Sequence, residues 1–166
     1  MLITNHVLAG ALVGMVAPGP VSAFVAGIAS HVGMDAAPHW GDDDMSVFYR
    51  VAVVDGLVGL ATMGWVARRT PPTRRATVVA GMLGACFPDS DKPAVLFFGR
   101  SPFPVAVDRW HGAIQDEAPH RMPGEVAAAA LGALAVRLLV TGQRPGQPRP
   151  RSRTGRRGIA RPAPGW

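Results

Sequence analysis

Long apolar blocks, separated by short polar or proline-rich joints, set the pattern of this chain. Residues 1–34 contain no Asp, Glu, Lys or Arg. Pro18-Gly19-Pro20 divides that stretch, because proline cannot continue a regular helix. The pattern predicts one helix over residues 5–17, with Thr4 or Asn5 able to cap it, and a second over 21–34. Further apolar runs cover 51–67, broken only by Asp55, and 76–87, which stops at Pro88. Residues 94–99 are apolar but short, and 100–124 is a loop region with room for one short helix. Residues 125–141 form an Ala- and Leu-rich helix. No alternating strand pattern and no internal repeat is present. The expected fold is therefore all-α, a helical bundle over residues 1–142.

Length and charge placement point this bundle toward a membrane. A bilayer core needs about 20 apolar helical residues, with a range of about 17–25. The runs at 51–67 and 126–142 reach that length. The run 76–99 spans only if the polar stretch 89–92 lies at an interface or inside protein. The N-terminal pair forms two half-spans or one kinked span. Arg68, Arg69, Arg74 and Arg75 make one basic joint, whereas Asp42, Asp43 and Asp44 make an acidic one. If 51–67 crosses inward, both the four-Arg joint and the C-terminus fall on the cytoplasmic side. The alternative is a soluble all-helical domain with unusually apolar helices.

Composition changes the picture at the C-terminus. Residues 144–166 hold seven Arg among Pro and Gly and no acid. Such a segment cannot bury enough apolar surface to offset its chain entropy, so 143–166 is expected to be a disordered tail. Without it, 10 basic residues face 11 acidic ones, so the sequence pI of about 11.2 describes the tail. The tail suits anionic lipid headgroups better than nucleic acid, since it has one aromatic residue and no stacking pattern. The single cysteine, Cys86, excludes an intrachain disulfide and a zinc site built on a cysteine cluster.

The polar residues within this apolar background are mostly His and Asp. His31 and Asp35 are four apart and share one helix face. Asp89-Ser90-Asp91 follows Pro88 at a helix end, so both carboxylates can hold a metal, or one can hold it while the other orients water. Imidazole and carboxylate are the ligand types of zinc, whose catalytic sites keep a water position open. His6 joins this group only if the first two helices fold back on each other about Pro18-Gly19-Pro20. Duller roles are open to each: His6 can flank a helix, His31 and Asp35 can form a structural pair, and Asp89 and Asp91 can form a turn. His39-Trp40 can anchor an interface, and Asp55 needs a partner wherever it lies. Gly10 and Gly14 show the GxxxG spacing, which glycine-rich chains also reach by chance. There is no phosphate-binding glycine loop, serine nucleophile elbow or HExxH motif.

Three blocks carry a resemblance: Thr4-Asn5-His6, Ser30-His31-Val32-Gly33-Met34-Asp35 with Pro38-His39-Trp40, and Gly84-Ala85-Cys86-Phe87-Pro88-Asp89-Ser90-Asp91. With them the chain resembles the predicted membrane-bound, metal-dependent hydrolases of bacteria, which are distantly similar to zinc-dependent phospholipase C-like helical enzymes. The resemblance implies metal-site residues among His6, His31, Asp35, Asp89 and Asp91. It departs where that family shows a His-Arg element followed by Thr-His-Ser; here Asp108-Arg109-Trp110-His111 stands instead.

The resulting expectation is a hydrolase of the bacterial inner membrane with its tail in the cytoplasm. His6, His31, Asp35 and Asp89 would hold a divalent metal, zinc or else manganese, and Asp91 and His111 would serve catalysis. Membrane lipids are the expected partners, with a lipid or phosphoester as substrate and no nucleic acid. Two other expectations stand beside it: an integral membrane protein with a structural His/Asp cluster, and a soluble helical module with a nucleic-acid-binding tail.

Overall fold

The computed structural model describes residues 1–142; the expected tail, 143–166, lies outside the described residues. The described residues form seven α-helices and no strand. These are α1 (Ile3–Val16), α2 (Pro20–Asp35), α3 (Met45–Arg69), α4 (Pro72–Cys86), α5 (Asp91–Phe98), α6 (Val105–Ile114) and α7 (Met122–Gly142). Short 3-10 turns at Pro88–Ser90 and Pro119–Arg121 lead into α5 and α7.

Prolines place several of the joints. Pro20 and Pro72 open α2 and α4, where a missing N–H costs nothing. Pro88 stops the run 76–87 as the pattern predicts, which settles the conditional span over 76–99. That stretch is therefore a 15-residue helix, a turn and an 8-residue helix rather than one span. Asp44, part of the acidic joint, caps α3 by accepting from Ser46 N at 2.8 Å and Val47 N at 3.4 Å. The cap of α1 differs from expectation. Neither Thr4 nor Asn5 caps it, because both already lie within the helix, which begins at Ile3.

Carboxylates from distant helices take over that task. Asp55, midway along α3, accepts from the backbone N–H groups of Ile3 and Thr4. Glu125, at the start of α7, accepts from Leu2 N at 3.1 Å, Asn5 Nδ2 at 2.6 Å and Trp40 N at 3.2 Å. The first amides of a helix lack intrahelical partners and attract negative charge. Asp55 thus finds in α1 the partner its apolar helix could not supply.

The core forms around α1, which packs against α2, α3, α4 and α7. Val7, Leu8, Ala11 and Met15 of α1 meet Val66 of α3, Val78 and Met82 of α4, and Val136 and Val140 of α7, all buried. Small residues let α4 lie close against both α1 and α2. A Cβ on Gly10 would stand 2.5 Å from the Gly81 carbonyl oxygen, and one on Gly14 would stand 2.6 Å from Val78 Cα. The Gly10/Gly14 spacing is here a contact face.

The helices run up and down, which sorts the chain's charges. The N-terminus of α1 and the C-termini of α2 and α4 meet at one end, where the His and Asp residues gather. At the other end, Arg74 donates to the carbonyls of Gly14, Met15 and Ala17 and so caps the C-terminus of α1. The outer faces are apolar. Val54, Leu57 and Leu60 of α3 and Leu131, Leu134 and Leu138 of α7 are all more than half exposed. Two helical stretches, Met45–Arg69 and Pro119–Gly142, are long and apolar enough to cross a membrane.

Candidate metal centre

Five of the six site residues expected from the sequence converge at one end of the bundle. His6 lies one turn into α1, on the end that Asp55 and Glu125 hold in place. His31 and Asp35 occupy the last turns of α2, whose hairpin with α1 brings His6 beside them. Asp89 follows Pro88 beyond α4, and His111 comes from α6.

His31, Asp35, Asp89 and His111 each offer one ligand atom, and these atoms all lie within 4.8 Å of one another. Asp35 is the hub. Its Oδ2 stands 3.1 Å from His31 Nε2 and 3.2 Å from His111 Nε2, and its Oδ1 stands 3.1 Å from His6 Nε2. The two Nε2 atoms of His31 and His111 are 3.1 Å apart. Tetrahedral ligands held about 2.0–2.1 Å from zinc stand about 3.3 Å from one another, close to these separations. Asp89 lies further out, with Oδ2 3.9 Å from His6 and Oδ1 3.9 Å from His111.

The rings are oriented by what lies behind them. His31 Nδ1 donates to the Ala85 carbonyl at 2.7 Å, which leaves the Nε2 lone pair facing inward. His111 turns its Nδ1 to Asp91 Oδ2 at 3.9 Å. Asp91, expected to serve catalysis with His111, therefore stands behind that ring and outside the inner group. Gln115, four residues after His111, donates to Asp35 Oδ2 at 2.9 Å.

One feature of this cluster lacks an internal solution. His6 Nε2 and Asp35 Oδ1 are fully buried and face each other off the line of a hydrogen bond; neither makes another hydrogen bond, and the next opposite charges are Asp89 Oδ2, 3.9 Å from the imidazole, and the N-terminal ammonium, 3.6 Å from the carboxylate. Unmatched buried polar atoms cost about 1–3 kcal/mol each. A divalent cation would satisfy both at once, and the donor set of imidazole nitrogens and carboxylates fits zinc or manganese.

Charges near the cluster are strongly coupled. Burial alone would raise the Asp89 carboxyl, but the Lys92 ammonium and the neighbouring histidines outweigh it and hold it below the usual range. Burial would lower Lys92 in turn, but Asp89, 2.6 Å from its Nζ, holds it above the usual lysine value. The hydrogen bond to Asp35 raises His111 against the opposing effect of burial.

Other polar residues lie elsewhere. His39 is buried away from the cluster, its Nδ1 2.8 Å from the Ala37 carbonyl and its Nε2 3.3 Å from Glu117 Oε1. With His39 N donating to Asp116 O and Ala118 N to His39 O, it ties two loops together. Asp108 accepts from Ser101, and His120 is exposed. Gln115 and Glu125 gave no sequence signal as site residues, because their partners Asp35 and Asn5 are remote. The signal that could have found Lys92 is local: it is the chain's only lysine and stands three residues after Asp89.

No protein-family model, curated protein or solved structure matches the chain.

Proposed function

We propose that this protein is a membrane-embedded, metal-dependent hydrolase. His6, His31, Asp35 and His111 would hold one divalent metal, with Asp89 beside it and Asp91 steadying His111. The observation that carries this is the buried pair of His6 Nε2 and Asp35 Oδ1, neither of them hydrogen-bonded, beside the ligand-type atoms of His31, Asp89 and His111. A metal bound there would acidify water to a pKa of roughly 7 and polarise a substrate oxygen. The chain's own residues supply a rigid ligand set, exclude bulk water and place Lys92 beside Asp89. The resemblance to bacterial membrane-bound metal-dependent hydrolases points the same way.

Membrane embedding is supported by exposure as well as length. A core helix of a soluble protein is mostly buried, but only 11% of the apolar window in Met45–Arg69 and 17% of that in Pro119–Gly142 is buried. An uncovered apolar surface of this extent marks an interface or a lipid-facing wall. The arginine-rich end would face the cytoplasm and the His/Asp end the outside.

A second reading is favoured by one observation. Every side chain of the cluster is at most 9% exposed, which suits a structural metal as well as a catalytic one. Metal analysis of the detergent-purified protein, joined to a hydrolysis screen with bis-p-nitrophenyl phosphate and ester substrates, separates the two. Turnover that is lost with the metal supports the hydrolase; bound metal without turnover on any substrate supports the structural site.

A further inference from the structure

A cleft of about 610 Å³ opens sideways between α3 and the corner where α4 gives way to α5. Leu57 and Leu60 of α3, Leu83 of α4, and Leu96 and Phe97 of α5 make its apolar walls. Its lips are exposed, Leu57 by 65%, Leu60 by 67% and Phe97 by 75%, on the side presented by the membrane-length helix α3. Asp89, Ser90 and Lys92 line it where it borders the metal-site cluster, and Lys92 is its one cationic side chain. The carboxylates that line the cleft are already engaged: Asp55 with the amides of α1, Asp89 with Lys92, and Glu117 with His39.

We infer that this cleft receives an acyl chain of a bilayer phospholipid, with the lipid phosphate drawn to Lys92 beside the His/Asp cluster. The assignment of that lipid as substrate rests on the hydrolase proposal; the binding of its chain does not. An apolar slot open to the bilayer offers a chain what the bilayer already offers, so hydrophobic burial gives little net preference. The phosphate supplies the preference. Lys92 carries a compact charge on a flexible stem, suited to a phosphate oxygen. Asp89 takes one of the three ammonium donors, and the side chain is 37% exposed, so Lys92 can still donate to a phosphate oxygen. The phosphoester would then stand at the ligand group while its chain lies along α3.

The test uses the full chain in nanodiscs containing phosphatidylglycerol with a diazirine-bearing acyl chain. Adducts are mapped by peptide mass spectrometry, and metal content is read on the same samples. We expect adducts concentrated at Met63 and Leu83 on the cleft wall. They should fall several-fold in Gly56→Trp, where a Cβ meets open space within the cleft, and in Ala52→Trp as a second filler. Leu131→Trp on the outer face of α7 should leave them unchanged. A diacylglycerol probe with the same chain should label the wall less, and Lys92→Gln should erase that difference. Adducts spread evenly over the exposed faces of α3 and α7, unaffected by either filler, would overturn the inference. Cleft adducts in a protein that binds no metal would support the lipid slot and sink the hydrolase proposal alone.

Discussion

His6 Nε2 and Asp35 Oδ1 stand 3.1 Å apart, both fully buried, without a hydrogen bond between them. Two helices hold them in this position. The start of α1 is fixed by Asp55 and Glu125, and the end of α2 is fixed by its close packing on α4. The fold thus spends stability to keep two polar atoms unmatched, which a bound cation would recover.

Asp55→Ala should destabilise the protein by about 1–2 kcal/mol, the usual effect of losing a helix N-cap. Asp55→Asn should lose less, because its side-chain oxygen can still accept from Ile3 or Thr4. Thermal unfolding in detergent, followed by circular dichroism, checks the order of the three proteins. Equal stability of Asp55→Ala and wild type would show that the carboxylate does not hold α1.

Gly81→Ala should destabilise by about 1–3 kcal/mol, because an added methyl group meets backbone of α1 rather than a yielding side chain. Gly56→Ala has open space at its Cβ and should be neutral or stabilising by up to about 1 kcal/mol. The same unfolding measurement compares them. A tolerated Gly81→Ala would mean that α1 and α4 are further apart than described.

Glu117 ties the loop after α6 to His39, and that hydrogen bond holds its carboxyl below the usual glutamate value. A depressed carboxyl stabilises the fold at pH values above its unfolded pKa. The contribution fades as pH falls through the folded value. Glu117→Gln should therefore be less stable than wild type at pH 6, with the gap closing below about pH 4. Melting temperatures across that range test this; a gap that persists at pH 3 would assign the effect to something other than ionisation.

Impermeant maleimide labelling tests the orientation. In a Cys86→Ser background, Asp43→Cys should label from outside intact spheroplasts and Thr73→Cys only after lysis. The reverse pattern would put the His/Asp end in the cytoplasm and overturn the positive-inside assignment.

Much of the architecture was legible in the apolar runs. Helices α1, α2, α3, α4 and α7 follow from them, and Pro18-Gly19-Pro20 marked the hairpin that brings His6 to Asp35. The His31–Asp35 spacing and Pro88-Asp89 located two arms of the cluster, because helix geometry and a proline stop are local. Other features depend on contacts between distant segments. Glu125 lies 120 residues from its partner Asn5, and no local pattern marks such a pairing. The region 100–124 left room for one short helix, but α6 could not be placed within it, since its ten residues combine Asp108, Arg109 and His111 with a short apolar face. His111 is drawn into the cluster by that helix. His39 carried the same chemical promise as His111, but its loop turns it to Glu117 instead.

Metal content of the detergent-purified full chain tests the central proposal most directly, with wild type beside His6→Ala and Asp35→Ala. Near-stoichiometric zinc or manganese in the wild type, lost in both variants while their helical content is kept, is the expected result. A wild type that takes up neither metal after reconstitution would contradict it, and the buried His and Asp residues would then serve the fold alone.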